Sequence, residues 1–388
     1  MDPVYLDHNA TTPVDPEVVA AMLPYLTGGF GNASSVHSFG REAKLALIDA
    51  REQIATFIGA KPDELYFTSG GTESDNIAVL GTAYHLRARK PHLIVGATEH
   101  HAVLEPAEHL HEHDVFALDI LPVDSQGFAD PAKLDSLLTN KTALVSVMQA
   151  NNETGTIQDI ASLAARARAK GALFHTDAVQ AIGKIKVDVG ELGVDMLSLT
   201  GHKIYGPKGT GALFIREGVK IAPLFYGGSH EKKRRPGTEN VAGAVGLAKT
   251  LEIAGRRMDA DTARLTELSD WLIEKITTDI PDCYFNGPRD RRVPQTVNLS
   301  FPGAEGESIV VSLDIKGVAV SSGSACTSGA TEPSHVLRAM GIDGLRGQGA
   351  VRISLGRSTT REQLEYVLEV LPPIIERLRS ISPTGREG

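Results

Sequence analysis

Cysteine is almost absent from this chain. Among 388 residues only Cys283 and Cys326 carry a thiol. Two thiols cannot build a disulfide framework, so a reducing, cytoplasmic setting is the expectation. There is no apolar run long enough to span a bilayer, and the opening MDPVYLDHNATTP lacks the pattern of a secretory signal, so no membrane partner is expected. Basic residues are not in excess either. Forty-eight acidic residues against 39 Lys and Arg leave a formal net charge of -9, which argues against nucleic acid as a main partner. A GxxxxGK[ST] phosphate loop, an internal repeat and a low-complexity tract are all missing. What remains is an ordinary globular composition, 41% hydrophobic and 22% charged, in a chain long enough for two domains.

From about residue 50 to 255, short apolar runs alternate with amphipathic stretches. The runs ELYFTS, HLIVGAT, ALVSVMQA, ALFHTDA, MLSLTG and GALFIR read as buried strands. Between them, ESDNIAVLGTAYHLRARK and IQDIASLAARARAK have the apolar spacing of helices. Such alternation predicts an α/β fold with a mostly parallel sheet covered on both faces. Composition changes near Arg256. A polar helix over 259–278, strands in TVNLSFPG, VAVSSG and AVRISLG, and a last helix at about 361–380 predict a smaller α+β domain. The tail SPTGREG is expected to fray.

Several of these strands end in residues with chemistry to offer. In SLTGHKIYGPKGTG (198–211), Lys203 follows a strand end, where open α/β sheets bind ligands. A lysine there is either an ordinary surface cation or a Schiff-base former for an aldehyde cofactor. The strand LFHTDAVQ leads into Asp177 and Gln180. An acid in that place either caps a helix or keeps the ring nitrogen of a pyridine cofactor protonated. TSGGTESDN (68–76) puts Gly70, Gly71 and Thr72 at a helix start, with Thr72 expected as the cap and the free N–H groups suited to phosphate. In ATEHHAVLEP, His100 stands at another strand end as a ring to lie over a cofactor, a metal ligand or a turn residue. His109, His111 and His113 have no matching carboxylate or cysteine set and read as a solvated helix end.

Cys326 lies in SSGSACTSG (321–329), where no large side chain shields it. A structural cysteine usually sits in apolar packing. The composition here predicts a thiol on a mobile, exposed loop. Cys283, in DIPDCYFNG between a helix and a strand, reads as a packing residue.

Taken together, these motifs resemble the fold type I pyridoxal-phosphate enzymes of the class V aminotransferase superfamily. Within it the chain resembles the group I cysteine desulfurases, the NifS/IscS type. The likeness runs through LDHNATTPVDP, GNASSVHSFG, TSGGTESDN, TEHHAVLEP, NNETGTIQDI, FHTDAVQ, TGHKIYGPKGTGAL, RRPGTEN, SSGSACTSG, EPSHVLRAMG and VRISLGRSTT, in the family's order. SSGSACTSG is the most specific, because it separates group I from group II.

The resemblance implies a large cofactor-binding domain over 16–258 with a seven-stranded sheet. A small domain of 1–15 and 259–388 would carry the cysteine loop. Lys203 would hold pyridoxal phosphate, Asp177 would pair with its ring nitrogen, and His100 would stack on the ring. Gly71, Thr72, Thr200 and His202 would hold the phosphate, joined by Thr238 from the other subunit of a homodimer. Asn152 and Gln180 would contact the phenolic oxygen and the substrate side, and Arg352 the carboxylate of L-cysteine. Cys326 would be the nucleophile that takes the sulfur and passes it to an iron–sulfur scaffold protein or another acceptor. No resident metal is implied, although Cys326 would be available to ligate a cluster during transfer. Thr200 stands where the family commonly has serine, and His101 where it often has lysine or proline. An ordinary class V aminotransferase or lyase has no use for the thiol, whereas selenocysteine lyase chemistry would share the site. The basic run KKRR (232–235) is the sole support for a nucleic-acid binder or scaffold.

Overall fold

The computed structural model describes residues 3–323 and 333–382. Its centre is a seven-stranded sheet. In chain order the strands of the molecule begin with β1 (Val4–Tyr5), β2 (Leu65–Thr68), β3 (His92–Gly96), β4 (Ala117–Leu121) and β5 (Thr142–Ser146). They continue with β6 (Leu173–Asp177), β7 (Met196–Thr200), β8 (Gly211–Ile215) and β9 (Tyr284–Phe285). The last are β10 (Thr296–Ser300), β11 (Val318–Ala319), β12 (Ser321–Ser322) and β13 (Ala350–Ser354). The large sheet has the order β2-β8-β7-β6-β5-β3-β4, and only β8 runs against its neighbours.

Every residue of β3, β5, β7 and β8 is buried, as a sheet sandwiched between helices requires. The edge strand β4 is different. Only its Leu121 is buried, so it lacks the continuous apolar run that marks the other strands in the sequence. Helices Gly71–Leu86 and His101–His113 pack together on the sheet, and Ile160–Ala169 packs against β6.

The polar helix expected over 259–278 is part of a longer one, Val241–Asp279. Asn240 caps it by accepting from the Gly243 N–H, and no proline interrupts it. Its single glycines are tolerated because the helix is packed; at Gly246 a Cβ would stand 2.6 Å from the Met22 sulfur. The first half of this helix, through Leu247 and Leu251, belongs to the core of the large sheet. Leu265, Leu272 and Ile276 in its second half belong to another core, together with Val4, Leu6 and the inner faces of β10 and β13. A four-stranded antiparallel sheet, β12-β13-β10-β9, organises that second core. The N-terminal strand β1 joins it by pairing with β11. Among the described residues, no helix is long and apolar enough to cross a membrane.

Candidate active site

The carboxyl ends of β2, β3, β5, β6 and β7 open into one cavity of about 340 Å³. Gly71, Thr72, His100, Asn152, Asp177, Gln180, Thr200, His202, Lys203 and Arg352 all line it. Ten residues named from the sequence therefore converge, although they span positions 71 to 352. The volume lies within the usual range for a small-molecule site.

Lys203 sits in the turn after β7. Its Nζ donates to the carbonyls of Asn9 (2.7 Å) and Ala10 (2.7 Å). These carbonyls belong to the segment after β1, which is tied over the site by three further bonds. The Thr12 N–H and hydroxyl both donate to the His202 carbonyl, and Asn9 Nδ2 donates to the Asn152 carbonyl. Asn9 and Ala10 also line the cavity. The motif LDHNATTP carries no titratable group that advertises this role, and backbone acceptors leave no trace in a sequence.

Asp177 ends β6 and is almost fully buried. One of its oxygens accepts from the Val179 N–H at 2.8 Å, so it caps a turn and not the helix start that the sequence offered. Burial pushes its pKa up to about 6, opposed by that bond and by Lys203. Apart from Lys203, the groups around it offer little positive charge. His175 bridges Ser146 and Ser198 through its two ring nitrogens (2.8 and 3.0 Å), and burial drives its pKa to about 3, so it is neutral. Burial also holds Asp75 and Glu99 well above the carboxylate range. A cation placed against Asp177 would supply the missing compensation.

The helix Gly71–Leu86 starts without a side-chain cap. Gly70, not Thr72, is the cap residue, and no hydroxyl accepts from the first turn. The backbone N–H groups there remain for a ligand, and the helix dipole favours an anion. Gly71 is required for packing, since a Cβ would stand 2.7 Å from Val179 Cγ2. Thr200, at the end of β7, donates its hydroxyl to the Thr210 carbonyl. His202 contacts the Thr11 hydroxyl at 3.3 Å, and burial followed by Lys203 lowers its pKa to about 4. It is therefore neutral near pH 7.

His100 caps the next helix, His101–His113. Its Nδ1 accepts from the Ala102 N–H at 3.1 Å, which puts the proton of the neutral ring on Nε2. Burial, then Lys203, lowers its pKa and keeps the ring neutral. On the far side, Asn151 folds the NNETGT loop by accepting from the Glu153 and Thr154 N–H groups, which leaves Asn152 at the cavity wall. Arg352, in β13, is buried; it donates to Asp7 Oδ1 (2.8 Å) and to the Asn152 carbonyl (3.1 Å). Its Nε has no protein partner. His111 and His113 lie in the last turn of helix His101–His113, and His111 Nδ1 contacts the Phe116 carbonyl.

Thr238 does not line this cavity. It is exposed in an adjoining groove with Phe225, Tyr226 and Arg235, and Thr72 is common to both walls. Cys326 lies outside the described residues. The segments on either side of it are tied to the site: Ser321 pairs with Arg352, Ser334 donates to Glu153 Oε2 (2.5 Å), and His335 Nε2 contacts the Glu99 carbonyl (2.9 Å). Cys283 packs against the second core, where burial pushes its thiol up to about 12 and makes it inert.

Glu153 offers a stability test. Burial lifts its pKa from 4.5 to about 7, so its folded-state value lies above the unfolded one. The stability it permits is full below about pH 4.5 and is lost as pH rises through about 7. Glu153→Gln, which keeps an acceptor for Ser334, is expected to match the parent at pH 4.5 and exceed it by roughly 3 kcal/mol at pH 8. Denaturant midpoints at the two pH values measure this; equal midpoints at both would refute it.

This cavity has an amine beside two carbonyls, an under-compensated carboxylate, an uncapped helix start and a buried guanidinium. Those features suit an aldehyde, a cationic ring nitrogen, a phosphate and a carboxylate, and pyridoxal phosphate with an amino acid presents all four. Comparison with known proteins agrees. The class V aminotransferase family matches residues 4–367. The cysteine desulfurase IscS of Dictyoglomus turgidum is 53% identical, covering 99% of this chain and 97% of its own. A solved NifS-like protein superposes with a TM-score of 0.91 at 38% identity, over 98% of this chain and 100% of its own. A second structure, of SspA in complex with cysteine, gives 0.80 at 33% identity over 91% and 98%. The match spans nearly the whole chain, and on that basis it belongs to the class V aminotransferase family, as a pyridoxal-phosphate-dependent cysteine desulfurase.

Proposed function

We propose that the cavity binds pyridoxal phosphate and L-cysteine with the division of labour expected from the resemblance, and that Cys326 receives the sulfur. The observation that carries this reading is the convergence of Lys203, Asp177 and Arg352 on one cavity whose wall adjoins both anchors of the Cys326 segment. The helix start at Gly71 and Thr72, with Thr200 and His202, holds the phosphate. Asp177 holds the ring nitrogen, His100 covers the ring, and Gln180 and Asn152 orient its oxygen and the substrate. When bound, pyridoxal phosphate supplies an electron sink at the substrate α-carbon as long as its ring nitrogen stays protonated.

The chain's own groups do the rest. Lys203 Nζ takes the α-proton of the bound cysteine and returns protons to the carbon frame. The Cys326 thiolate forms an S–S bond to the substrate sulfur as the carbon–sulfur bond breaks. That electron pair stays with the β-carbon, which is protonated to the methyl group of L-alanine. Cys326 is left as a persulfide, and its outer sulfur passes to an acceptor such as an iron–sulfur scaffold protein. Quantifying alanine and persulfide together, from cysteine, tests the reading; alanine without protein persulfide would overturn it.

Arg352 supplies the substrate anchor. Arg352→Ala removes charge-assisted bonds worth about 1.5–3 kcal/mol, so the KM for cysteine is expected to rise roughly 10- to 150-fold while the cofactor band persists. The same change strands Asp7, so the variant also loses stability. An unchanged KM would reduce Arg352 to a core ion pair.

Two further features belong to this proposal. Residues 16–258 form the large domain, and 1–15 with 259–388 the small one, the division falling inside the helix Val241–Asp279. The enzyme acts as a homodimer in which Thr238 completes the phosphate site of the neighbouring subunit. Leu26, Phe30 and Tyr226 are 64%, 72% and 87% exposed in the isolated chain, which fits faces covered by a second copy. Sedimentation of the active enzyme is expected to give a dimer, and Thr238→Ala to weaken cofactor retention. Full activity in a monomer would refute it. The setting is the cytoplasm.

A further inference from the structure

One lysine near the cavity has no place in this chemistry. Lys184 lies in the turn after β6, seven positions beyond Asp177, and does not line the catalytic cavity. Gly183 turns the chain there with φ +69°, where a Cβ would stand 3.1 Å from that of Ala254 and 3.3 Å from Ile204 Cγ2. The main chain of Lys184 is held on both sides. Its N–H donates to the Ala181 carbonyl (3.0 Å), and its carbonyl accepts from the Thr262 hydroxyl (3.1 Å). The side chain has no carboxylate partner among the described residues. Its Nζ donates instead to Gln180 Oε1 at 2.5 Å.

That contact holds the Gln180 amide oxygen while the Asn9 carbonyl holds its nitrogen. Gln180 is buried, and its Nε2 donates to the Asn9 carbonyl at 3.0 Å. Flipping the amide would set its oxygen against the Asn9 carbonyl oxygen, losing that bond, and would replace the Lys184-to-Oε1 bond by an NH₂ facing the Lys184 amine. The Asn9 carbonyl is also an acceptor for Lys203 Nζ. A continuous series of bonds therefore runs from Lys184 through Gln180 to the carbonyl on which Lys203 rests.

We propose that Lys184 is a positioning residue, holding the Gln180 amide so that its N–H edge faces both the Asn9 carbonyl and the catalytic cavity. With Lys184 in place, the Asn9 carbonyl keeps a donor when Lys203 moves away from it, and the second Gln180 N–H is aimed at the cofactor. Burial, then Lys203 and Arg352, lowers the Lys184 pKa far below the usual value; a neutral amine still has N–H groups to donate. This proposal rests on Lys203 being the cofactor's attachment site, which a borohydride-trapped adduct on Lys203 in the parent enzyme verifies independently.

The test is a double-mutant cycle with Lys184→Met and Gln180→Ala. Pyridoxal phosphate is titrated into each apoenzyme, and the absorbance maximum of the loaded form is recorded. Losing one oriented hydrogen bond predicts a roughly 3- to 10-fold weaker Kd and a similar fall in kcat, with little change in the KM for cysteine. Lys184→Met and Gln180→Ala should shift the absorbance maximum alike, and the double variant should be no worse than Gln180→Ala. Additive losses, or an unmoved maximum in Lys184→Met, would overturn the proposal. Lys184→Gln serves as the second variant. If both Lys184 variants fail to fold while the parent adduct maps to Lys203, Lys184 is a packing residue and the proposal fails.

Discussion

Lys203→Ala is expected to lower alanine production by at least about 10³-fold, the scale of a lost proton-transfer group. The chain should still fold. Lys203 donates to the Asn9 and Ala10 carbonyls, and water can take its place there at an open cavity. The decisive readout is chemical rather than kinetic. Borohydride reduction of the parent should fix the cofactor to Lys203, and the variant should yield no adduct. The competitor is Lys184, whose Nζ donates to Gln180 and which does not itself line the cavity. An adduct mapped to Lys184, in either protein, would overturn the assignment of Lys203.

An effect of similar size is expected at Cys326, with a different signature. Cys326→Ser should load the cofactor and bind cysteine, since neither step uses the thiol, yet make neither persulfide nor alanine at a useful rate. A serine hydroxyl is a poor nucleophile toward sulfur and cannot hold a persulfide. Gly323, three positions before Cys326, is the last described residue on that side. Gly323 is bonded to the Ala350 carbonyl at 2.9 Å, two positions from Arg352. Cys283→Ser is the internal control. That thiol is half-buried, with its pKa pushed up to about 12, and its replacement should leave turnover nearly unchanged. Persulfide delivery by the Cys326 variant would mean that sulfur leaves by another route, and the role proposed for Cys326 would fall.

Much of this site is legible in the chain because its chemistry sits at strand ends. Buried strands show as apolar runs, and the residue that follows such a run is placed at the sheet's carboxyl edge by geometry alone. Asp177, Lys203, His100 and the Gly70–Gly71 turn were readable for that reason. Strand β4 was not, because an exposed edge needs no apolar run. Nor was the first half of the helix Val241–Asp279, whose small residues carry little periodic signal until packing against Met22 and the large core is known.

By itself the sequence determined the local elements, the thiol set among small residues and the polar groups closing each strand. All of these depend on spacing along the chain. The tertiary structure decided which distant segments meet. It laid the Asn9 and Ala10 carbonyls over Lys203, paired Asp7 with Arg352 across 345 positions, and turned Lys184 toward Gln180. It also set the charge states. The pKa values of Asp177, His175 and His202 move because folding removes water from around them, and no local pattern encodes how much water is lost.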